Sequence, residues 1–144
     1  MAVNLIDSND IEVSQTGSDI QLNLTNPIES GSNANGSYIK YGDGTMICWN
    51  RESVSNIQVA TQDGGIYKSA DITLKNFPVE FNEIPVVQFC FSGNSWTILG
   101  LGRSASDTTT KTNPGKVFLF RGTSTTTGVV GLYIHTLAIG RWKA

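Results

Sequence analysis

No stretch of this chain repeats apolar residues at i, i+3, i+4 and i+7 for long enough to build a helix. Apolar and β-branched residues instead alternate with polar ones in short bursts. The bursts are separated by 15 glycines and by clusters of Asn, Asp and Ser. Such frequent turn signals suit short strands joined by tight connections, so the expected fold class is all-β.

The turn signals also place the strands. Gly42-Asp43-Gly44 lies between 38–41 and 45–49 and predicts a hairpin. Further strands are predicted at 54–60, within 66–74, and at 85–91, 96–101, 117–121 and 129–141. Residues 104–115, SASDTTTKTNPG, form a long polar loop between the sixth and the seventh. Several short strands at regular spacing argue for a sandwich or barrel rather than βαβ units.

Period-two alternation assigns the faces. In the fifth strand Val87, Phe89 and Phe91 share one side, and Val86, Gln88 and Cys90 the other. In the eighth, Val130, Leu132, Ile134 and Ala138 oppose Tyr133, His135, Leu137 and Ile139. Both faces of that strand are largely apolar, so the outward one calls for a second subunit to cover it.

A chain of 144 residues closes a hydrophobic core without disulfide or metal staples. Residues 3–25 alternate in two bursts, Ile11 and Val13, then Ile20, Leu22 and Leu24, around the turn SQTGSD. A hairpin that small has too little core to stand alone and must pack on something else, a neighbouring copy being the natural candidate. Residues 26–37, NPIESGSNANGS, read as a linker with no periodicity. The division expected is an N-terminal segment with its linker at 1–34 and a head at 35–144.

Composition excludes several functions. The net charge is −2 with 15% charged residues, and Lys and Arg are scattered singly, so a basic face for nucleic acid is missing. No run of 18 apolar residues exists to insert in a membrane, and the first ten residues do not read as a secretory signal. The Asn-X-Ser/Thr sequons at Asn23 and Asn35 then read as chance matches. Cys48 and Cys90, both within apolar strands, are expected to be buried and reduced. A zinc site needs more ligands than these with the single His135, and no cofactor is expected.

Catalysis finds no support either. His135 is the lone imidazole and sits in an apolar strand, where it reads as a packed or interface residue. The acidic residues of the head fall mostly in turns or at strand ends, where a solvated carboxylate is the default, and Gly100-Leu101-Gly102 is too short to cradle a phosphate. The expectation is a protein that is not an enzyme. Groups suited to sugars remain: flat aromatic faces take C–H surfaces, and planar Arg or acidic side chains grip hydroxyls. Trp49 and Trp142 sit at the ends of core strands and read as structural, which leaves Trp96 as the open candidate.

Three blocks resemble the C-terminal domains of bacteriophage tail-fibre proteins with an H-type-lectin-like β-sandwich. They are NGSYIKYGDGTMICW over 35–49, FPVEF over 77–81 followed by IPVVQ over 84–88, and LAIGRWK over 137–143. The resemblance spans residues 35–143. It implies a six-stranded antiparallel sandwich, a homotrimer, an N-terminal shaft or collar segment joined to an upstream shaft, and binding of host cell-surface carbohydrate. It also implies a place at the fibre tip of a virion, after synthesis in the host cytoplasm. The sugar-holding residues of lectin members have no full match here. Arg103, Asp107 and Arg121 are candidates by chemistry and loop location, together with Trp96. A purely structural, trimerising tip is the competing expectation, and a tail-like bacteriocin fibre would carry the same domain. A depolymerase is disfavoured, since such enzymes generally need a long repetitive scaffold.

Overall fold

The computed structural model describes residues 11–16, 19–24, 29–93, 100–105, 108–129 and 132–144; for the strands at 11–16, 19–24 and 125–129 it describes the backbone. The described residues form thirteen strands and no helix. β1 (Ile11–Thr16) and β2 (Asp19–Leu24) make an antiparallel hairpin with Ile11 opposite Leu24, as the alternation of residues 3–25 suggests.

The other eleven strands form two antiparallel sheets. The first contains β3 (Glu29–Asn33), β4 (Gly36–Lys40), β5 (Thr45–Val54), β9 (Val86–Gly93) and β13 (Leu132–Arg141), in the order β3-β4-β5-β13-β9. The second contains β6 (Ile57–Asp63), β7 (Ile66–Ser69), β8 (Ile72–Thr73), β10 (Gly100–Arg103), β11 (Lys116–Arg121) and β12 (Thr125–Val129). Its order is β10-β11-β7-β6-β12, with β8 beside β11.

The sheets face each other across a shared core, which makes the fold an antiparallel β-sandwich. Val59, Ile72, Leu74, Val117 and Leu119 come from the six-stranded side and meet Leu132 and Ile134 of β13. Each fully buried aliphatic side chain contributes roughly 1.5–3 kcal/mol. A second cluster fills the other half of the five-stranded sheet's inner face. There Met46, Cys48 and Ala138 are covered by Phe77 and Phe81, whose rings meet edge to face at 5.1 Å. A connecting segment, rather than a strand, closes that half.

The sandwich departs from the sequence reading in four places. It has five and six strands per sheet, where the turn signals predict eight in the head and the resemblance implies six. The segment read as a linker at 26–37 contains β3, which pairs with β4 from Glu29↔Lys40 to Asn33↔Gly36. Its residues are polar because β3 is an edge strand with little to bury, which erases the alternation. The strand expected within 66–74 is interrupted at Ala70 and Asp71. There Ser69 Oγ turns to accept from Leu119 N at 3.0 Å and to donate to Ala70 O at 2.7 Å. The strand expected at 129–141 divides between the sheets, with Val129 opposite Ile57 and Leu132 opposite Val54. Val130 lies outside the described residues, as does the first part of the strand expected at 96–101.

Candidate functional site

Strand alternation fixes the outer face of the five-stranded sheet. Met46 and Cys48 point into the core, so Ile47, Trp49 and Arg51 point away from it on β5. Ile134 and Ala138 are buried on β13, which turns Tyr133, His135, Leu137 and Ile139 outward. Val87, Phe89 and Phe91 of β9 pack inward, so Val86, Gln88 and Cys90 point out. These are the faces that the alternation predicts.

Register gathers the outward side chains into rows. The first row is Ile39, Ile47, Ile139 and Val86; the next is Ser37, Trp49, Leu137 and Gln88. The third is Arg51, His135 and Cys90, and the fourth Ser53, Tyr133 and Ser92. The face therefore grades from apolar at one end of the strands to polar and aromatic at the other. Its apolar members are open: Val86 is 73% exposed, Ile139 45%, Trp49 45% and Leu137 38%.

The polar end is ordered by its own contacts. The Arg51 guanidinium lies over the Tyr133 ring, 3.8 Å from its centroid. Ser92 Oγ and His135 Nε2 are hydrogen-bonded at 2.7 Å. A groove of about 530 Å³ runs between Trp49, Arg51, Gln88, Cys90, His135 and Leu137. It adjoins a hollow of about 300 Å³ between Val86, Gln88, Leu137 and Ile139.

Two expectations are corrected here. Trp49 is an exposed wall of this groove rather than a core residue. The run Met46–Trp49 is apolar throughout, so the sequence offers no contrast to show which members face out. Cys90 is exposed, not buried, because it shares the outward parity of Val86 and Gln88. Cys48 is buried and free, and burial pushes its thiol up to about 11. Trp142 behaves as a structural residue, half-buried beside the Phe77–Phe81 cluster, with its Nε1 donating to Tyr41 O at 3.0 Å.

The residues selected for ligand binding do not come together in the described part of the molecule. Arg103 sits opposite Val117, while Arg121, at the other end of β11, sits opposite Tyr67. At about 3.4 Å per residue that places their levels roughly 13 Å apart. Arg103 Nη2 donates to Thr109 Oγ1, and Thr109 Oγ1 donates to Pro114 O at 3.1 Å. Arg121 Nη2 donates to Thr123 Oγ1 at 3.1 Å, while its Nε is buried with no partner among the described residues. Trp96 and Asp107 lie outside the described residues.

The loop from Ser104 to Pro114 is bound to the rest of the head. Ser104 Oγ donates to Asp71 Oδ2 at 2.7 Å, and Asn113 Nδ2 to Asn76 Oδ1 at 2.7 Å. Phe77 N and Phe81 N donate to Thr112 O and Lys111 O at 2.8 and 3.0 Å. These bonds hold the segment that carries Phe77 and Phe81 over the second core cluster. In β10, Gly100 and Gly102 leave room for the Phe120 and Phe118 rings of the paired strand to lie across them. Packing accounts for both glycines. No group of three or more His, Cys, Asp or Glu placed to hold a metal occurs among the described residues. No helix long and apolar enough to cross a membrane occurs among the described residues.

No protein-family model matches the chain, and no curated protein matches it. Two solved structures resemble it. One is a P. aeruginosa R1 pyocin fibre comprising C-terminal residues of that protein, 20% identical with a TM-score of 0.48. The match covers 79% of this chain, which spans 28% of that one. The other is an N-truncated R1-type pyocin tail fibre, 21% identical with a TM-score of 0.50; the match covers 79% of this chain and 85% of that one. The sandwich seen here is thus a fold shared with the R1-type pyocin tail fibre.

Proposed function

We propose that this chain is the distal head of a tail fibre, from a bacteriophage or a phage-tail-like bacteriocin. It assembles as a homotrimer and adsorbs to host cell-surface glycans. Residues 1–34 form the end of the shaft or collar and residues 35–144 the lectin-like head, with β3 of the first segment added to the head sheet. The chain works by binding, without catalysis or cofactor. It is made in the host cytoplasm and ends in the particle.

The observation that carries this reading is the apolar row Ile39, Ile47, Ile139 and Val86, on a head that shares its fold with a pyocin tail fibre. An exposed row of that kind is stabilised by a second copy, and closed rotational symmetry covers it without open-ended polymerisation. Three heads on one axis then present linked sites to a repetitive cell surface, which raises avidity above the affinity of one site. The loop contacts proposed are Trp96, Arg103, Asp107 and Arg121.

Light scattering at micromolar concentration should return the mass of three chains, and the isolated chain should adsorb to host cells. A monomer overturns the assembly. Replacing Arg103 and Asp107 together with Ala should weaken adsorption while trimer mass is kept; parental adsorption by that variant removes the loop as the site. The second reading is a structural tip that trimerises and binds nothing. It is favoured by the internal bonding of the loop from Ser104 to Pro114. A trimer that adsorbs to no host cell selects it.

A further inference from the structure

We infer that the groove between Trp49 and His135 on the outer sheet face is a binding site for an anionic sugar, of the hexuronic acid class. The inference rests on the glycan-binding reading above, names a ligand class, and adds a site on the sheet face apart from the loop residues Arg103 and Arg121. It assigns the two ends of one sheet face to different tasks: the row of Ile39, Ile47, Ile139 and Val86 to subunit packing, and the Trp49–Arg51 end to ligand.

Spacing comes first. Trp49 and Arg51 are two residues apart on the same face of β5, so their side chains leave the sheet roughly 7 Å from each other. That is the span of a pyranose ring with its carboxylate. Leu137 stands directly beside Trp49 and His135 directly beside Arg51. The Trp49–Leu137 pair offers a flat apolar platform for the C–H face of the ring. Gln88, next to Leu137, supplies both an amide donor and an acceptor for hydroxyls.

Charge then selects the ligand. Arg51 is the charged side chain that lines the groove, and no Asp or Glu lines it. Glu52, the next residue, belongs to the opposite parity of β5 and accepts from Lys75 N at 3.1 Å, so its carboxylate is turned to other work. The ion pairs found among the described residues are Lys40–Glu29 and Lys68–Asp63, and Arg51 takes part in neither. Stacking on Tyr133 holds the guanidinium plane in place while its edge still presents paired N–H donors. Such a pre-oriented fork matches a carboxylate in two-point contact. A second subunit is the wrong occupant for this end. Covering it would strip water from Arg51, His135 and Gln88, whereas the apolar row loses nothing by being covered.

The test uses the full chain. Methyl glucuronide and methyl galacturonide are titrated against it, with the uncharged methyl glucoside and methyl galactoside as controls. The Trp49 indole resonance, assigned by its loss in Trp49→Phe, reports occupancy, and protection of the Cys90 thiol from a maleimide reports it independently. At least one uronide should shift the Trp49 signal with millimolar affinity and slow Cys90 labelling, and the neutral glycosides should do so at least about tenfold more weakly. Arg51→Gln, an exposed substitution, should reduce uronide affinity about tenfold with an unchanged melting temperature. No response to either uronide at tens of millimolar overturns the proposal. Uronide affinity that is unchanged in Arg51→Gln overturns it too. So does Cys90 protection that tracks protein concentration and not uronide, which would assign the groove to a second copy. Host adsorption that persists in the Arg51→Gln variant while uronide binding is absent in the parent leaves the fibre-head reading intact and removes only the groove. Failure of the parent to adsorb removes the reading on which the groove rests.

Discussion

Gly140 and Phe81 occupy one space: a Cβ built on Gly140 would stand 2.9 Å from Phe81 Cδ1 and 3.0 Å from Pro85 Cβ. Phe81 is 1% exposed and cannot swing away into solvent. Gly140→Ala should therefore destabilise the head by about 1–3 kcal/mol, the usual range for overpacking. Adding Phe81→Leu should recover part of the loss in a double-mutant cycle of thermal melts. Strict additivity would show that the two residues are not coupled.

Thr136 offers a change in the other direction. It is 6% exposed within β13, and its Oγ1 is buried without a hydrogen-bond partner among the described residues. Thr136→Val keeps the β-branched shape and removes the orphan hydroxyl. Chemical denaturation should show a gain of about 1 kcal/mol. A loss would reveal a partner for that hydroxyl.

The two thiols should behave differently in the native protein. Cys90 is exposed and should react with a maleimide within minutes. Cys48, buried and with its thiol pushed up to about 11, should react only on unfolding. Intact-mass spectrometry after native labelling should show a single adduct, abolished by Cys90→Ser. A double adduct without denaturant contradicts the placement of Cys48.

Glu52 supplies a pH dependence. Burial raises its carboxyl above the ordinary value of 4.5, outweighing the hydrogen bond from Lys75 N and that residue's charge. A raised folded value means that the protonated form is the better tolerated one. Its contribution to stability is fully present below the unfolded value and is lost as pH rises through the folded one. Glu52→Gln keeps an oxygen to accept from Lys75 N and cannot ionise. Its melting temperature should exceed the parent's at pH 7, and the gap should close by pH 3. A gap that is constant across that range removes the carboxyl as its source.

The apolar row can be tested without touching the core. Ile139 is 45% exposed on the outer face, so Ile139→Glu should leave the circular dichroism of the head unchanged and convert a trimer to monomers in sedimentation. A trimer that tolerates the charge places the subunit contact elsewhere.

Much of the sandwich was legible because parity along β9 and β13 selects the side chains that turn inward, buried in β13 and partly buried in β9. Thr136 is the exception in β13: its hydroxyl hides an inward position that the register reveals. The site was less legible. Trp49 lies in a run that is apolar on both faces, and the burial of Met46 and Cys48 is what shows that it faces out. Arg103 carries the right chemistry at a loop boundary, yet its guanidinium is engaged with Thr109, a contact between residues that no local pattern links. Polar β3 passed for a linker because an edge strand is held by its backbone bonds to β4 and has no buried face to mark it.

The order β3-β4-β5-β13-β9 puts β13, the last of the described strands, at an interior position, with Leu132–Arg141 paired to β5 on one side and β9 on the other. A nascent chain therefore carries two unfinished sheet fragments until those ten residues leave the ribosome. Until then the ladder edges of β5 and β9 stay open to any neighbouring chain. Synthesis on a shared message would bring such chains close together. The interval before β13 docks is thus the window in which strand exchange between copies competes with correct closure, and chaperone demand should peak there.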